Sequence, residues 1–175
     1  MNFGKETEKL LHFIDESPTA FQAVKNLGDM AEKAGFAELK ETEEWSLEPG
    51  KSYYVKRNDS SIAAFSIPDK EAEKIKGFHM VAAHSDSPSF KVKEKAEMTA
   101  ENLYVRLNVE KYGGMILSTW LDRPLSIAGR LSLEKDGEVV TRLVNVDRDL
   151  LVIPNVAIHM NRDMNKGVEY NPQID

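Results

Sequence analysis

Gly77-Phe78-His79-Met80-Val81-Ala82-Ala83-His84-Ser85-Asp86-Ser87-Pro88, residues 77–88, is the stretch that decides the fold class. The run from Phe78 to Ala83 is short, apolar and introduced by a glycine, the pattern of a strand buried on both faces of a sheet. At His84 the texture changes abruptly to polar groups. Open α/β sheets place their ligands in the crevice beyond the strand ends. The expectation is therefore an α/β protein with its chemistry at residues 84–88. A histidine at such an end can offer a ring nitrogen to a metal. A carboxylate two residues later can accept the other ring N–H, which fixes the tautomer and raises ligand basicity. Pro88 stiffens the turn. The same residues also suit a capped turn without metal, and a lone His-x-Asp does not separate the two.

Upstream, Leu10, Leu11, Phe13 and Ile14 cluster ahead of Ser17-Pro18, which has the form of an N-cap followed by a first helical residue. Phe21, Val24, Leu27, Ala31 and Ala34 then recur at helical spacing, and Gly35 can close the helix. Ser52 to Arg57 and Ser61 to Ile67 read as strands joined by the turn-forming Asn58-Asp59-Ser60. The charged stretch from Asp69 to Lys76 follows, and its lysines and glutamates, like those from Lys91 to Lys95, read as solvated faces. After about residue 93, Leu103, Val105, Leu107 and Val109 alternate with polar positions, as do Leu125, Ile127, Leu131 and Leu133. Asp136-Gly137 is a hairpin signal leading into 138–146. This places a boundary between an α/β part, 1–95, and a β-rich part, 96–175. Residues 160–175 are polar with no closing element.

The 175 residues are 41% hydrophobic and 30% charged, the balance of a globular chain with a sizeable core. A net charge of −6 argues against nucleic acid as a partner, because binding phosphate backbone needs clustered Lys and Arg. No cysteine is present, which excludes disulfides, thiolate metal sites and cysteine nucleophiles. No stretch approaches the roughly 20 apolar residues of a membrane span, and no signal-peptide core opens the chain. The expectation is a soluble, cytoplasmic protein without a membrane partner. Gly113-Gly114 lacks the rest of a phosphate-binding loop and reads as a turn or bulge. His12 and His79 have no acidic neighbour and read as ordinary histidines.

Longer motifs carry a resemblance. Residues 82–93 (Ala-Ala-His-Ser-Asp-Ser-Pro-Ser-Phe-Lys-Val-Lys), 112–123 (Tyr-Gly-Gly-Met-Ile-Leu-Ser-Thr-Trp-Leu-Asp-Arg), 125–130 (Leu-Ser-Ile-Ala-Gly-Arg) and 153–162 (Ile-Pro-Asn-Val-Ala-Ile-His-Met-Asn-Arg) occur in the order seen in aspartyl aminopeptidases. Phe13-Ile14-Asp15 and Ser17-Pro18-Thr19-Ala20-Phe21 match as well. The chain resembles the N-terminal portion of that zinc metallo-aminopeptidase family from about residue 10 to 165.

The resemblance implies the N-terminal part of a zinc-exopeptidase-type α/β catalytic domain in 1–95, followed in 96–175 by part of an inserted β-rich dimerisation domain. It implies His84 as a ligand of one zinc in a two-zinc site, with Mn or Co as substitutes, and Asp86 as the group that orients it. It implies His159 as a histidine projected into a neighbouring subunit's active site to bind substrate or steady the developing oxyanion. It implies removal of N-terminal residues, acidic Asp or Glu, from peptide substrates, and homo-oligomers in which dimers build a dodecamer. In such a site two zincs share a bridging water and a carboxylate acts as base. The family's bridging Asp, its Glu-Glu pair, a further carboxylate and a last His fall beyond residue 175, since Glu43-Glu44 lies in an unrelated charged segment. The chain alone is thus expected neither to hold two zincs nor to hydrolyse peptides. The competing expectation is a non-catalytic assembly module that needs a C-terminal complementing chain. A relationship to other two-zinc exopeptidases is disfavoured by the Trp120 and His159 motifs. Trp120-Leu121-Asp122-Arg123 is expected to be structural, with Trp120 packing and the two charges pairing or capping beside Pro124.

Overall fold

Thr19, not Ser17, caps the helix that organises the first part of the chain. Its backbone is extended (φ −137°, ψ 167°) and its Oγ1 accepts the Phe21 N–H at 3.2 Å. Ser17 is engaged elsewhere: its main-chain N–H closes onto Ile14 O, and its hydroxyl accepts from the Asn26 amide at 3.1 Å. Pro18 consequently precedes the cap rather than opening the helix. The computed structural model describes residues 4–69, 77–167 and 171. It divides into two compact units, Met1–Asp86 with Ile127–Val146, and Ser87–Ser126 with Asp147–Asp175. The hairpin at 127–146 thus groups with the N-terminal residues.

In the first unit, α1 (Lys5–Asp15) and α2 (Ala20–Lys33) precede a sheet of β1 (Ala37–Leu39), β2 (Ser52–Arg57) and β3 (Ser61–Ser66) in that spatial order. Gly35, at φ +86°, ends α2, with its N–H on Glu32 O and the Phe36 N–H on Ala31 O. β1 runs parallel to β2, and β2 pairs antiparallel with β3. The core consists of Ala23, Val24, Tyr53 and Tyr54, with Val24 fully buried. Tyr53 and Tyr54 are consecutive and so face opposite sides of the sheet. Tyr54 lies beneath α2, where Gly28 leaves room for its ring. Tyr53 lies beside Phe65, which stacks on Trp45, and the Tyr53 hydroxyl accepts the Glu48 N–H. β6 (Ala128–Lys135) and β7 (Glu138–Asn145) form the expected hairpin, with Asp136 and Gly137 both at positive φ. The Gln22 side-chain amide donates to Val144 O at 3.0 Å, holding the hairpin to α2.

The second unit is built on β4 (Ser89–Ala100) paired antiparallel with β5 (Tyr104–Tyr112), with a register shift between Val92 and Glu97. The charges of Lys91–Lys95 conceal β4 in the sequence, because side chains on a two-stranded ribbon can all reach water. Gly113 turns the chain out of β5 at φ +76°, close against Pro88. A 3₁₀ turn, Leu117–Trp120, brings the Trp120 ring edge-on to Phe90 at 5.3 Å.

Residues 78–83 do not form the expected buried strand. Phe78, Met80 and Val81 are 84, 86 and 101% exposed, and no described strand pairs with them. Burial on both faces needs neighbouring strands and covering helices, and the described residues supply neither along this run. The charged residues 70–76 lie outside the described residues.

Two measurements follow from the packing of unit one. A Cβ at Gly28 would meet Tyr54 Cε2 at 3.6 Å and Lys56 Cδ at 3.8 Å, ordinary contact distances. Gly28→Ala is expected to stabilise the chain by about 0.5–1 kcal/mol in urea unfolding, since alanine is the better helix former. Glu38 meets both the Tyr54 hydroxyl (3.2 Å) and the Lys56 ammonium (2.8 Å). Burial, then the Glu38 charge, raises the phenol above 10.0; the Glu38 hydrogen bond raises Lys56 above 10.5 against the opposing effect of burial. Both groups hold their protons more tightly when folded. Their contribution is complete below about pH 10 and is lost as pH rises through the folded values. The urea midpoint, followed from about pH 8 upward, is therefore expected to hold until about pH 10 and fall beyond it, and Glu38→Gln should shrink the fall.

Candidate functional site

The segment that carries His84 is tethered through a turn. Asn58 and Asp59 sit at φ 51° and 53°, both left-handed, in the three-residue turn 58–60 that the Arg57–Ser61 register leaves between β2 and β3. That conformation leaves two carbonyls of the turn available. Ser60 O accepts the Ser85 hydroxyl at 2.9 Å, and Asn58 O accepts Arg130 Nη1 at 2.7 Å. Arg130, from β6, also lies over the Phe21 ring of α2, 4.2 Å from its centroid. The residue next to His84 is thus fixed to a turn that is itself clamped by an arginine stacked on the organising helix. Arg130 lies within the quoted 125–130 motif, but nothing in the motif's chemistry shows that it serves the turn.

His84 Nδ1 lies 2.8 Å from the main-chain carbonyl of Asp86 and 3.1 Å from its carboxylate. A carbonyl oxygen can only accept, so Nδ1 carries the proton. Nε2 is then the basic nitrogen, on a side chain that is 81% exposed. This is the tautomer in which Nε2 can ligate a metal, with an acceptor behind it to hold the ring. The same contacts tie His84 to Asp86 within residues 84–86.

His159 lies in the second unit, exposed, in a turn closed by the Met160 N–H on Ala157 O at 2.8 Å. His84 and Asp86 are brought together; His159 belongs to the other unit. Of the Trp120–Arg123 segment, Trp120 packs, Asp122 caps the Asn155 N–H at 2.8 Å, and Arg123 donates to Thr119 O instead of pairing with Asp122. Among the described residues no group of three or more His, Asp or Glu could hold a metal. His84 offers one donor, and one donor does not make a zinc site.

Residues 13–175 match the family described as aminopeptidase I zinc metalloprotease, M18, and the chain belongs to that family. A probable M18 family aminopeptidase 2 of Clostridium novyi is 49% identical over 173 residues, which cover 98% of this chain and 40% of that protein. A chain in the cryo-EM structure of the Ape4 and Nbr1 complex superposes with a TM-score of 0.87 at 44% identity, covering 93% of this chain and 31% of its own. A chain of the S. cerevisiae mApe1 dodecamer gives a TM-score of 0.78 at 29% identity, covering 89% of this chain and 36% of its own. These likenesses accord with a mixed α/β fold. The chain thus spans less than half the length of the relatives it matches. No described helix is long and apolar enough to cross a membrane.

The tautomer can be read directly. Long-range nitrogen–proton NMR of His84 should show a protonated Nδ1 and a lone-pair Nε2. Asp86→Ala should lower the population of that form without abolishing it, because the main-chain carbonyl still accepts. A dominant Nε2–H form in the unsubstituted chain would contradict the assignment.

Proposed function

We propose that this chain is the N-terminal part of a zinc-dependent aminopeptidase that removes N-terminal residues, acidic Asp or Glu, from peptides. The observation that carries the reading is the His84 ring, its Nδ1 proton held by Asp86 and its Nε2 exposed, within a chain of the M18 zinc metalloprotease family. In this reading His84 is a ligand of one of two zincs (Mn or Co could substitute), and Asp86 orients it. His159 reaches a neighbouring subunit's site, where it contacts substrate. The acidic preference rests on the resemblance to aspartyl aminopeptidases. The cytoplasm fits the absence of cysteine.

Residues 1–95 would belong to the catalytic α/β domain and 96–175 to part of an inserted β-rich oligomerisation domain. Homo-oligomers built from dimers into a dodecamer are supported by the mApe1 dodecamer, whose chain this one resembles. The described residues do not complete a zinc site, so no hydrolytic step is assigned to them. Their part is to hold a proton on Nδ1 and keep Nε2 available. A second reading, an assembly module complemented by a C-terminal chain, is favoured by one observation. Phe78, Met80 and Val81 lie exposed just ahead of His84, where a sheet would bury them.

Native mass spectrometry with metals retained tests both. The 19.7 kDa chain alone is expected to carry fewer than two zincs per subunit and to leave Asp-, Glu- and Leu-terminated peptides uncleaved. A species containing a second polypeptide, about two zincs per subunit and turnover would support complementation. Two tightly bound zincs and turnover by the 175-residue chain alone would overturn the expectation of inactivity.

A further inference from the structure

Asp122 stands at φ 55°, a left-handed conformation that non-glycine residues adopt rarely and that Asp tolerates better than most. In that conformation its main-chain N–H donates to Ile153 O at 2.9 Å, while its Oδ1 accepts the Asn155 N–H at 2.8 Å. One residue therefore grips the 153–155 segment twice, on either side of Pro154, which has no N–H of its own. The grip has neighbours. Leu121 bridges Ile153, Leu125 bridges Leu151, and the Leu125 and Leu151 N–H groups exchange bonds with each other's carbonyls at 2.9 and 3.0 Å. Beyond Asn155 the order continues. The Asn155 side-chain oxygen accepts the Val156 N–H at 3.2 Å, and Ala157 O accepts from Met160 and Asn161 at 2.8 and 3.2 Å. His159 sits inside that last turn.

We infer that Asp122 is a positioning residue: its carboxylate, aimed by its left-handed backbone, fixes the start of the segment that presents His159. This rests on the reading of His159 as a substrate-contacting residue. It gives Asp122 a task other than pairing with Arg123, whose Nη1 donates to Thr119 O at 3.3 Å. A charged acceptor on an amide is stronger than a neutral one. A left-handed residue cannot be replaced by an ordinary one without strain.

Three substitutions separate the contributions. Asp122→Gly keeps the backbone conformation and removes the acceptor. Asp122→Asn keeps both an acceptor and tolerance of the left-handed region. Asp122→Ala removes both. Hydrogen exchange and histidine-ring NMR on the 175-residue chain need neither metal nor peptide. In Asp122→Gly the Asn155 amide is expected to exchange roughly tenfold faster or more, the worth of one charge-assisted hydrogen bond, and the His159 ring resonances to shift toward averaged values. In Asp122→Asn both readouts should return to near those of the parent chain, while Val92 and Val109 in the β4–β5 pair stay protected in all three. The inference is overturned if Asp122→Gly leaves Asn155 exchange within about twofold, or if Asp122→Asn is as disruptive as glycine. Loss of β4–β5 protection in Asp122→Gly would also overturn it, since Asp122 would then serve the whole unit. The reading of His159 stands or falls separately. It fails if His159→Ala leaves peptide cleavage by the zinc-loaded assembly unchanged, and the positioning result would survive that outcome.

Discussion

Helix α2 lies on the sheet with Gly28 over the Tyr54 ring, the contact beside the buried Val24. Everything described in the first unit depends on that seating. Val24, one turn before Gly28 on the same helix, is fully buried. Phe21 and Gln22, at the start of α2, reach the β6–β7 hairpin through the Arg130 guanidinium and the Val144 carbonyl. Arg130 in turn clamps the Asn58 turn, and that turn anchors Ser85 beside His84. The path from an apolar contact to a candidate ligand runs through four side chains and one left-handed turn.

This construction separates orientation from ligation. The protein holds the Nδ1 side of His84 with a main-chain carbonyl, a neutral acceptor 2.8 Å away. The carboxylate adds charge to an arrangement the backbone has already set. Nε2 is left to solvent, and the remaining donors of a zinc site are not among the described residues. The chain spans 40% of its Clostridium novyi relative.

Turns were the most legible part of the sequence. Asn58-Asp59 and Asp136-Gly137 adopt the positive φ values their composition demands, because Asn, Asp and Gly enter that region at low steric cost. The helix spacing from Phe21 to Ala34 was equally legible. Ser17 was misleading: Ser and Thr are both good caps, and which of them caps depended on Asn26 taking the Ser17 hydroxyl from nine residues away. Strand β4 was hidden by its charges, since a ribbon with wet faces needs no apolar alternation. The run Phe78 to Ala83 erred the other way. Its composition describes an environment, a sheet interior, that local sequence cannot itself provide.

At the candidate site, the His84–Asp86 pair and the family were visible in the residues, because the histidine, the carboxylate two residues on and the surrounding motif are contiguous. Local propensity and short-range chemistry thus determined the turns and the helices, and the motifs determined the family. Only the tertiary structure decided which nitrogen of His84 holds its proton, that Arg130 and Ser60 support it, and that Asp122 caps Asn155 rather than pairing with Arg123. Each of these is a contact whose geometry depends on how the backbone folds around it, and most join residues far apart in the chain. Hydrogen bonds need a donor and an acceptor aligned within a few tenths of an ångström, and sequence order does not encode that alignment.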